Sequence, residues 1–401
     1  FVQFRFRFGA DNGGGNDEGW AFDDFSTYQS SSISGTKFND FDGDGVKDVG
    51  EAGLLDWNIF LTATNTIDGD VFTDDQGYYE FLNLPVATFT VSEFTDAGWA
   101  QTLPGGAGTY TLTTTNGTVY ADKDFGNYQL GSISGKKFHD INSNGVMDVG
   151  EVGLQNWKIK LSGAKTDSVL TDSVGNYSFT GLLAGNYTVS EVQQNGWMQL
   201  LPASNANYSV TMTSGLVATG KDFGNFQPGT ISGMKFNDVN ANGVKDVGET
   251  GLENWKIRLS GAKTDSVFTD ATGNYSYTNL LVGSYIVSEA QQGGWQQTYP
   301  VSPNTYTLAV VNGSNFTEKD FGNVQLSGIF GMKFNDMNGN GVKDIEDGGL
   351  ANWKIKLSGA QTDSVLTDAN GIYSFLNLIA GAYTVTEEMQ AGWVQTKPVG
   401  G

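Results

Sequence analysis

The sequence predicts an all-β protein built from four β-sandwich repeats in tandem, and two observations carry this prediction. The first is self-similarity: Ile-Ser-Gly opens at Ile33, Ile133 and Ile231, and the variant Ile-Phe-Gly opens at Ile329. The second is that apolar side chains within each repeat recur at every other position, with no segment of helical periodicity. A repeat of this length is typical of an array in which each copy is one structural unit.

The repeats share one order of motifs: I-S-G-x-K-F or its variant, an acidic loop, G-L-x-x-W-x-I-x-L, T-D-x-x-G-x-Y, Y-x-V-x-E (with Phe89 for the tyrosine in repeat 1) and G-W-x-Q, followed in repeats 1 to 3 by K-D-F-G-N. Trp157, Ile159 and Leu161 alternate with polar residues, so they share one face of a half-buried strand. Tyr187 and Val189 repeat this pattern. Short alternating segments between Asn, Asp and Gly turns predict an antiparallel, Ig-like or prealbumin-like β-sandwich of about seven strands. With almost no linker, four such units would form a rod.

The motif order also predicts the domain boundaries. The four predicted repeats are 31–129, 130–228, 229–326 and 327–401, the last without its final strands. Residues 1–30 differ, because Phe4, Phe6 and Phe8 alternate with polar residues before a Gly-rich turn and a second strand. Two strands cannot form a core of their own. We therefore expect this segment to be the end of a jelly-roll module or a donor-strand segment.

Composition excludes several classes of function. The chain has 22 basic and 44 acidic residues, a net charge of −22, and no basic cluster that would attract nucleic acid. It has no cysteine and a single histidine, His139, which excludes a disulfide framework, a thiol nucleophile and a multi-histidine zinc site. No apolar run approaches the ~20 residues of a membrane span. We expect neither a nucleic-acid partner nor a membrane span in this segment.

The acidic loop of each repeat has the spacing of calcium ligands. The first loop, from Asp40 to Glu51, fits D-x-D-x-D-G-x-x-D-x-x-E over twelve positions. Calcium takes oxygens from the side chains at positions 1, 3, 5, 9 and 12 and from the carbonyl at position 7, and Gly45 at position 6 permits the sharp turn. Asp, Asn and Gly also cluster in plain solvated turns, but turn chemistry does not require an acid at position 12. Four matches in register favour calcium.

The predicted ligands of the four loops are Asp40, Asp42, Asp44, Val46, Asp48 and Glu51; Asp140, Asn142, Asn144, Val146, Asp148 and Glu151; Asp238, Asn240, Asn242, Val244, Asp246 and Glu249; and Asp336, Asn338, Asn340, Val342, Asp344 and Asp347. Asp347 is shorter than glutamate, which puts bidentate closure of the fourth loop in question. Loop 1 has five acids where loops 2 and 3 have three each, so we predict tighter binding at loop 1. The flanks are strand-like, which favours a structural role over helix-pair switching.

This ordered set of motifs, including I-S-G-x-K-F-x-D-x-N-x-N-G and D-F-G-N, resembles the B-type repeats of serine-aspartate repeat surface adhesins. It is also similar to the wider group of prealbumin-like, collagen-adhesin B-type domains. The resemblance covers roughly residues 33–401. It implies extracellular, cell-surface stalk domains that calcium makes rigid and that hold a ligand-binding head away from the cell. The sequence departs from the pattern at Asp347 and in repeat 4, which stops before any D-F-G-N.

A glutamate recurs on the inward face of one strand. Glu191 has the strand parity of Tyr187 and Val189, so we expect it to face the core, where a carboxylate needs a partner. The candidates are a lysine of the K-F motif and an Asp or Asn of D-F-G-N. In the related collagen-adhesin domains such a trio makes an isopeptide crosslink, but here the lysine lies further ahead of the loop glycine, which favours an ion pair. The predicted crosslink or ion-pair residues are Lys137, Glu191 and Asn225, and Lys235, Glu289 and Asn323.

The predicted function is that of a non-enzymatic extracellular structural protein, a calcium-rigidified stalk or filament subunit. A paired-carboxylate hydrolase is the enzyme alternative, but the acids lie in repeated loops and not in one cleft. Residues 22–29 supply a D-F-x-x-Y-Q strand of the kind that repeat 4 lacks, which predicts head-to-tail strand complementation between copies. A boundary within a longer repeat array is the plain alternative. From another class, the segment could be a carbohydrate- or surface-binding module or the stalk of a larger secreted hydrolase.

Overall fold

The computed structural model describes residues 29–63 and 66–398, so the two strands predicted within the first 30 residues lie outside the described part. The described residues form 32 strands and one 3-10 turn, Ala203–Asn205. Chain contacts divide them into two compact units. The first runs to Ser132 and includes Thr180–Tyr187 and Thr211–Val217, and the second holds the remaining residues up to 398.

Repeat 1 forms two facing sheets. One sheet has the order β4-β1-β9-β6 with β8 beside β1, and the other has the order β3-β2-β5-β7. The strands are β1 Ser31–Asn39, β2 Asn58–Ala63, β3 Thr66–Phe72, β4 Tyr78–Leu84, β5 Thr88–Glu93, β6 Trp99–Leu103, β7 Tyr110–Thr113, β8 Val119–Tyr120 and β9 Phe125–Gln129. One core cluster takes Ile33, Tyr79 and Phe125 from the first sheet and Ile59 and Val91 from the second.

Repeats 2 and 3 have the same two sheets. The strands of repeat 2 are β10 Gly131–His139, β11 Lys158–Gly163, β12 Asp167–Leu170, β13 Asn176–Leu182, β14 Gly185–Glu191, β15 Met198–Leu201, β16 Tyr208–Met212, β17 Val217–Ala218 and β18 Phe223–Phe226. Those of repeat 3 are β19 Gly229–Asn237, β20 Lys256–Gly261, β21 Asp265–Phe268, β22 Asn274–Leu280, β23 Gly283–Glu289, β24 Trp295–Tyr299, β25 Tyr306–Val310, β26 Asn315–Phe316 and β27 Phe321–Gln325. The all-β prediction of tandem β-sandwich repeats is confirmed, while the domain boundaries stay predictions.

The burial of each strand follows its sequence parity. Trp157, Ile159 and Leu161 are buried, whereas Lys158 and Lys160 between them are exposed. Alternate burial is what a strand with one face on a core requires. The apolar residues that predicted the strands are therefore the residues that join the two sheets.

The prediction of an antiparallel sandwich is wrong at two strand pairs of repeat 1. β1 runs parallel to both β9 and β8, with Lys37 opposite Phe125 and Asn39 opposite Asn127. Period-two alternation is the same for both directions of pairing, so the sequence pattern could not separate them. The parallel pairing brings the K-F motif of β1 beside the F-G-N motif of β9.

Repeat 4 has five strands among its described residues. They are β28 Ser327–Met332, β29 Lys354–Gly359, β30 Asp363–Leu366, β31 Ile372–Leu378 and β32 Tyr383–Glu387. β28 pairs only with β31, and β30-β29-β32 forms the other sheet. The segment around Trp393, equivalent to β6, forms no strand, as expected where its β9-type neighbour is not among the described residues.

Candidate calcium loops and buried lysine pairs

Loop 1, residues 40–51, leaves β1 at a fixed point. Phe38 is fully buried and bridges to Gly53, and the backbone N–H of Asn39 donates to the carbonyl of Ala52 (2.9 Å). The N–H of Asp40 donates to the carbonyl of Asn127 (2.9 Å). Both ends of the loop are thus attached to the sandwich, and the acidic residues project from a rigid base.

The carboxylate of Asp40 organises the turn. It is fully buried, and its two oxygens accept the N–H groups of Gly43 (2.6 Å) and Gly45 (2.8 Å). Both glycines have left-handed backbones, with φ of 75° and 78°, which glycine adopts without strain. Carboxylate oxygens of Asp40, Asp42 and Asp44 lie within 4.8 Å of one another. Three hard oxygens this close could hold a metal ion, which would screen their mutual repulsion.

Glu51 closes loop 1 from position 12. Its Oε1 accepts the N–H of Phe41 (2.6 Å) and its Oε2 accepts the N–H of Asp48 (2.9 Å). Burial raises the pKa of the Glu51 carboxyl, and the charges of Asp40 and Asp42 raise it further against the opposing backbone hydrogen bonds. Each carboxylate oxygen keeps a second lone pair for a cation. Glu51 therefore joins the two ends of the loop and remains able to bind a metal.

Loops 2 and 3, residues 140–151 and 238–249, carry amides where loop 1 has acids. In loop 2 the side-chain N–H groups of Asn142 and Asn144 both donate to Oδ2 of Asp148 (2.7 Å each), which lowers the pKa of that carboxyl. In loop 3 the same two bonds to Asp246 are 2.8 Å. Two amides turned toward one carboxylate must release it before all three can face a cation. Loop 1 needs no such exchange.

Loop 4, residues 336–347, is closed by an aspartate. Oδ1 of Asp347 accepts the N–H of Met337 (3.0 Å) and Oδ2 accepts the N–H of Asp344 (2.9 Å). Glu151 makes the equivalent bonds to Ile141 (2.9 Å) and Asp148 (3.0 Å) in loop 2. The shorter side chain therefore reaches the same two backbone groups. The position-7 residues expose their side chains in all four loops, which leaves their carbonyls as the potential ligands: Val46, Val146, Val244 and Val342.

A lysine and a glutamate form a buried ion pair between the two sheets of repeats 1 to 3. The Nζ to Oε2 distance is 2.7 Å for Lys37 and Glu93, and all these side chains are at most 2% exposed. The lysine ammonium also lies 4.6 Å from the centre of the Trp57 ring. The pairs predicted for repeats 2 and 3 have the same arrangement: Lys137 to Glu191 (3.0 Å) and Lys235 to Glu289 (2.9 Å).

An asparagine of the F-G-N motif completes the set. The side-chain N–H of Asn225 donates to Oε1 of Glu191 (2.6 Å), and that of Asn323 donates to Oε1 of Glu289 (2.8 Å). Both asparagines are fully buried, and their Oδ1 atoms have no hydrogen-bond partner among the described residues. Asp124 is not part of the set, because its carboxylate accepts the N–H of Thr36 (2.7 Å).

Burial weakens the charges of these pairs. It lowers the pKa of Lys37, Lys137 and Lys235 to about 8 each, against the opposing attraction of the glutamates. It raises the pKa of Glu93 and Glu289 against the opposing lysines. The lowered pKa of the lysines and the raised pKa of these glutamates both favour the neutral form of the pair, in which the lysine is an uncharged amine.

Repeat 4 shows the pair without its third member. Lys333 lies 2.6 Å from Glu387, but these side chains are 15% and 8% exposed. They line an open groove of about 630 Å³ together with Ile355, Tyr373 and Val385. In the other repeats the β9-type strand lies beside the equivalent lysine.

Sequence reasoning missed the tryptophan under each lysine. The Nζ of Lys37, Lys137, Lys235 and Lys333 lies 4.5–4.6 Å from the ring centre of Trp57, Trp157, Trp255 and Trp353. The signal was present, since the K-F and G-L-x-x-W motifs recur together in every repeat. The pattern alone showed that both were buried but not that they touched.

The SdrD B-like domain family matches residues 131–224, 229–322 and 329–401. The chain belongs to this family. The membership confirms the resemblance to B-type repeats of serine-aspartate repeat adhesins, and with it the predicted placement outside the cell, at the cell surface. No helix among residues 29–63 and 66–398 has the length and apolar character needed to cross a bilayer.

Two curated relatives share this sequence pattern. Serine-aspartate repeat-containing protein F of Staphylococcus epidermidis is 27% identical over 88% of this chain and 24% of its own length. Serine-aspartate repeat-containing protein D of Staphylococcus aureus strain Newman is 28% identical over 91% of this chain and 31% of its own length. The chain thus spans about a quarter to a third of these relatives.

Among solved structures, the chain is similar to the Bacillus anthracis TIE protein, at 15% identity and a TM-score of 0.29, with 92% of this chain and 71% of that chain covered. Two B repeat units of the collagen binding protein of Staphylococcus aureus give 13% identity and a TM-score of 0.21, with 90% and 94% covered. At these values the likeness carries no functional argument.

Proposed function

We propose that this segment is a non-enzymatic stalk of a surface protein, and that calcium in its four acidic loops makes the stalk rigid. The observation that carries the proposal is the convergence of the Asp40, Asp42 and Asp44 carboxylates on a loop anchored at both ends. Membership of a repeat family found in surface proteins supports the stalk. The same loop in every repeat favours a structural ion over a single catalytic centre.

Calcium would stabilise the stalk by binding its folded state alone. The unfolded chain does not hold the ligands together, so binding adds RT ln(1 + [L]/Kd), about 2.7 kcal/mol at a hundredfold excess over Kd. The ion also offsets repulsion in a chain of net charge −22. Without calcium, we expect the acidic loops to be the least stable part of each repeat.

The test is calorimetry of the chain with calcium and with a chelator, comparing Asp48→Ala with Asp75→Ala. Asp48 is an exposed position-9 ligand, and Asp75 is an exposed acid outside the loops. We expect Asp48→Ala to lose part of the calcium-dependent rise in melting temperature and Asp75→Ala to retain it. A melting temperature unaffected by calcium would refute the proposal.

We propose that the buried Lys-Glu-Asn set is a strut between the sheets, with an ion pair as its resting state. A covalent alternative is supported by the unpartnered Oδ1 of Asn225 and the lowered pKa of Lys137. In it, Nζ of Lys137 attacks Cγ of Asn225, Glu191 carries the proton, and ammonia leaves as the amide forms. Intact mass decides: the covalent form weighs one ammonia less per bond, and an unchanged mass leaves the ion pair.

We further propose that the groove of repeat 4 accepts a β9-type strand in trans, from the predicted D-F-x-x-Y-Q strand at residues 22–29 of another copy. The partial exposure of Lys333 and Glu387 supports this, because the β9-type strand lies beside their almost fully buried counterparts. Such contacts propagate head to tail. Sedimentation velocity with calcium tests it. We expect oligomers that a peptide of residues 123–129 disperses, and a purely monomeric chain would remove the idea.

A further inference from the structure

The repeats follow one another with one or two residues between strands. Only Leu130 separates β9 from β10, and only Gln227 and Pro228 separate β18 from β19. Linkers this short leave little freedom unless the contacts beside them can open. The contacts at these joints therefore decide whether the array is stiff.

A glutamine and a glycine turn form the first part of the contact at the start of repeats 1, 2 and 3. The glutamine ends or directly follows a β9-type strand or its predicted equivalent, and its carbonyl accepts the N–H of a left-handed glycine in a turn of the next repeat. The three bonds are Gly117 to Gln29 (3.0 Å), Gly215 to Gln129 (2.8 Å) and Gly313 to Gln227 (2.8 Å). A Cβ on the glycine would stand 2.4, 2.5 and 3.2 Å from the glutamine Oε1. The recurrence marks a built contact and not a chance one.

The same turn touches the acidic loop at the first joint. The N–H of Ser214 donates to the carbonyl of Phe41 (3.0 Å), and its hydroxyl donates to Oδ1 of Asn39 (2.6 Å). These two residues flank Asp40, the first predicted calcium ligand. A Cβ at Gly43, position 4 of loop 1, would lie 2.9 Å from Cβ of Ala184.

Position 4 also makes the contact at the second joint. Oγ of Ser143 in loop 2 accepts the N–H of Val282, which is equivalent to Ala184 by the 98-residue step, at 3.0 Å. The N–H of Gln227 donates to Oδ1 of Asn312 (2.8 Å), as that of Gln129 donates to Ser214 in the first joint (2.7 Å). Ser143 is half-buried among exposed loop neighbours.

Position 4 stands between two predicted ligands, at positions 3 and 5. In loop 2 these are Asn142 and Asn144, so a cation held by both fixes the backbone of Ser143 between them. In this structure the side-chain N–H groups of both amides bond to Asp148, while the backbone N–H of Asn144 bonds to Oδ1 of Asp140 and to Oδ1 of Asn142 (3.1 Å each). A cation that turns the two amides would therefore act on the same short backbone segment that places the Ser143 hydroxyl against Val282.

We propose that acidic loops 1 and 2 are also joints to the following repeat, so that filling loop 2 fixes Ser143 and locks the β22–β23 hairpin at Val282 in place. The inference rests on the calcium occupancy proposed above and names the surface through which the ion acts. The partner of the loop is the next repeat of the same chain. Calcium thereby acts on the angle between repeats as well as on the fold of each one.

The chain contains no cysteine, so a pair of spin labels can report the second joint in the full chain. Ser178→Cys and Ser276→Cys occupy equivalent exposed sites on β13 and β22. We expect pulsed electron resonance to give a narrow label-to-label distance distribution with calcium and a broad one with chelator. Ser143→Ala should lose the narrowing at saturating calcium, whereas Ser162→Ala, at an exposed strand-end serine, should keep it. Alanine fits this backbone, since Ala241 has the same left-handed φ in loop 3.

Calcium calorimetry on the same variants separates the two proposals. If calcium binding gives heat but the label-to-label distance distribution does not change with calcium, or does not change in Ser143→Ala, the proposed joint is wrong. The proposal that calcium binds the stalk would remain. Absence of binding heat would overturn the proposed calcium function, and the joint with it. Retained binding in Ser143→Ala together with a broadened distribution supports the joint specifically.

Discussion

At the scale of single residues, the Lys137–Glu191 ion pair matters for stability because neither side chain can reach solvent. Lys137 and Glu191 are almost fully buried, whereas Lys165 and Asp167 form a 3.4 Å pair with side chains 47% and 41% exposed. We expect Lys137→Met to cost about 3–5 kcal/mol because it strands Glu191, and the double change with Glu191→Leu to cost much less. Lys165→Met should cost within about 1 kcal/mol.

Hydrogen exchange of the β10 and β14 peptides, with calcium present, measures the loss within repeat 2. Equal effects of Lys137→Met and Lys165→Met would contradict the assignment of a buried strut. A double variant as unstable as Lys137→Met would contradict the argument that the stranded charge causes the loss.

The buried lysines Lys37, Lys137 and Lys235 make the stability of the folded chain depend on pH. Their pKa is about 8 in the folded chain against the usual 10.5, so between these values the unfolded chain binds more protons and stability rises with pH. Burial raises the pKa of Tyr79, Tyr177 and Tyr275, so above about pH 10 the folded chain holds more protons and stability falls. Melting temperatures at fixed free calcium should rise from pH 8 and then decline. A melting temperature that stays constant from pH 8 to 10 would contradict a lowered pKa of the buried lysines in the folded chain.

At the scale of elements, the attachment of the end of each acidic loop to the sandwich depends on one glycine, which is Gly153 in repeat 2. A Cβ on Gly153 would stand 1.9 Å from the carbonyl oxygen of Val174, where Gly153 bridges Phe138. Gly196 has a left-handed φ of 80° but open space around its Cβ position. We expect Gly196→Ala to cost about 1–2 kcal/mol from backbone strain and Gly153→Ala to cost clearly more. Thermal unfolding of both variants measures the difference, and the reverse order would contradict it.

Parity predicted which face of each strand is buried, because a core on one side requires alternation whatever the neighbours are. It identified Trp157 and Glu191 as inward-facing for this reason. It could not give the parallel pairing of β10 with β18, since pairing direction does not alter the alternation. The choice of Asn225 over an aspartate as the partner of Glu191 depended on that pairing.

At the scale of the whole molecule, the ligand positions of the four loops stay predictions, whereas the period of the sequence correctly predicted the tandem repeats. It could not predict the joints, because Ser214 and Asn39 are 175 residues apart and meet only through the placement of one repeat on the next. Nor could it show that the amides of Asn142 and Asn144 bond to Asp148. Contacts that depend on two repeats, or on the rotation of an amide, leave no period in the sequence.

The four loops differ enough in charge to be ranked, and an exchange of ligands tests the rank. Loop 1 brings together three carboxylates at positions 1, 3 and 5, where loop 3 has Asp238 with two amides that bond to Asp246. We expect loop 1 to bind calcium more tightly, because more charge faces the ion and no amide must turn first. Converting positions 3 and 5 of loop 1 with Asp42→Asn and Asp44→Asn should lower its affinity toward that of loop 3. The reciprocal Asn240→Asp and Asn242→Asp change should raise the affinity of loop 3. Calorimetric titration of the full chain resolves the tight class from the weak one, and a tight class unchanged by both exchanges would show that ligand charge does not set the order.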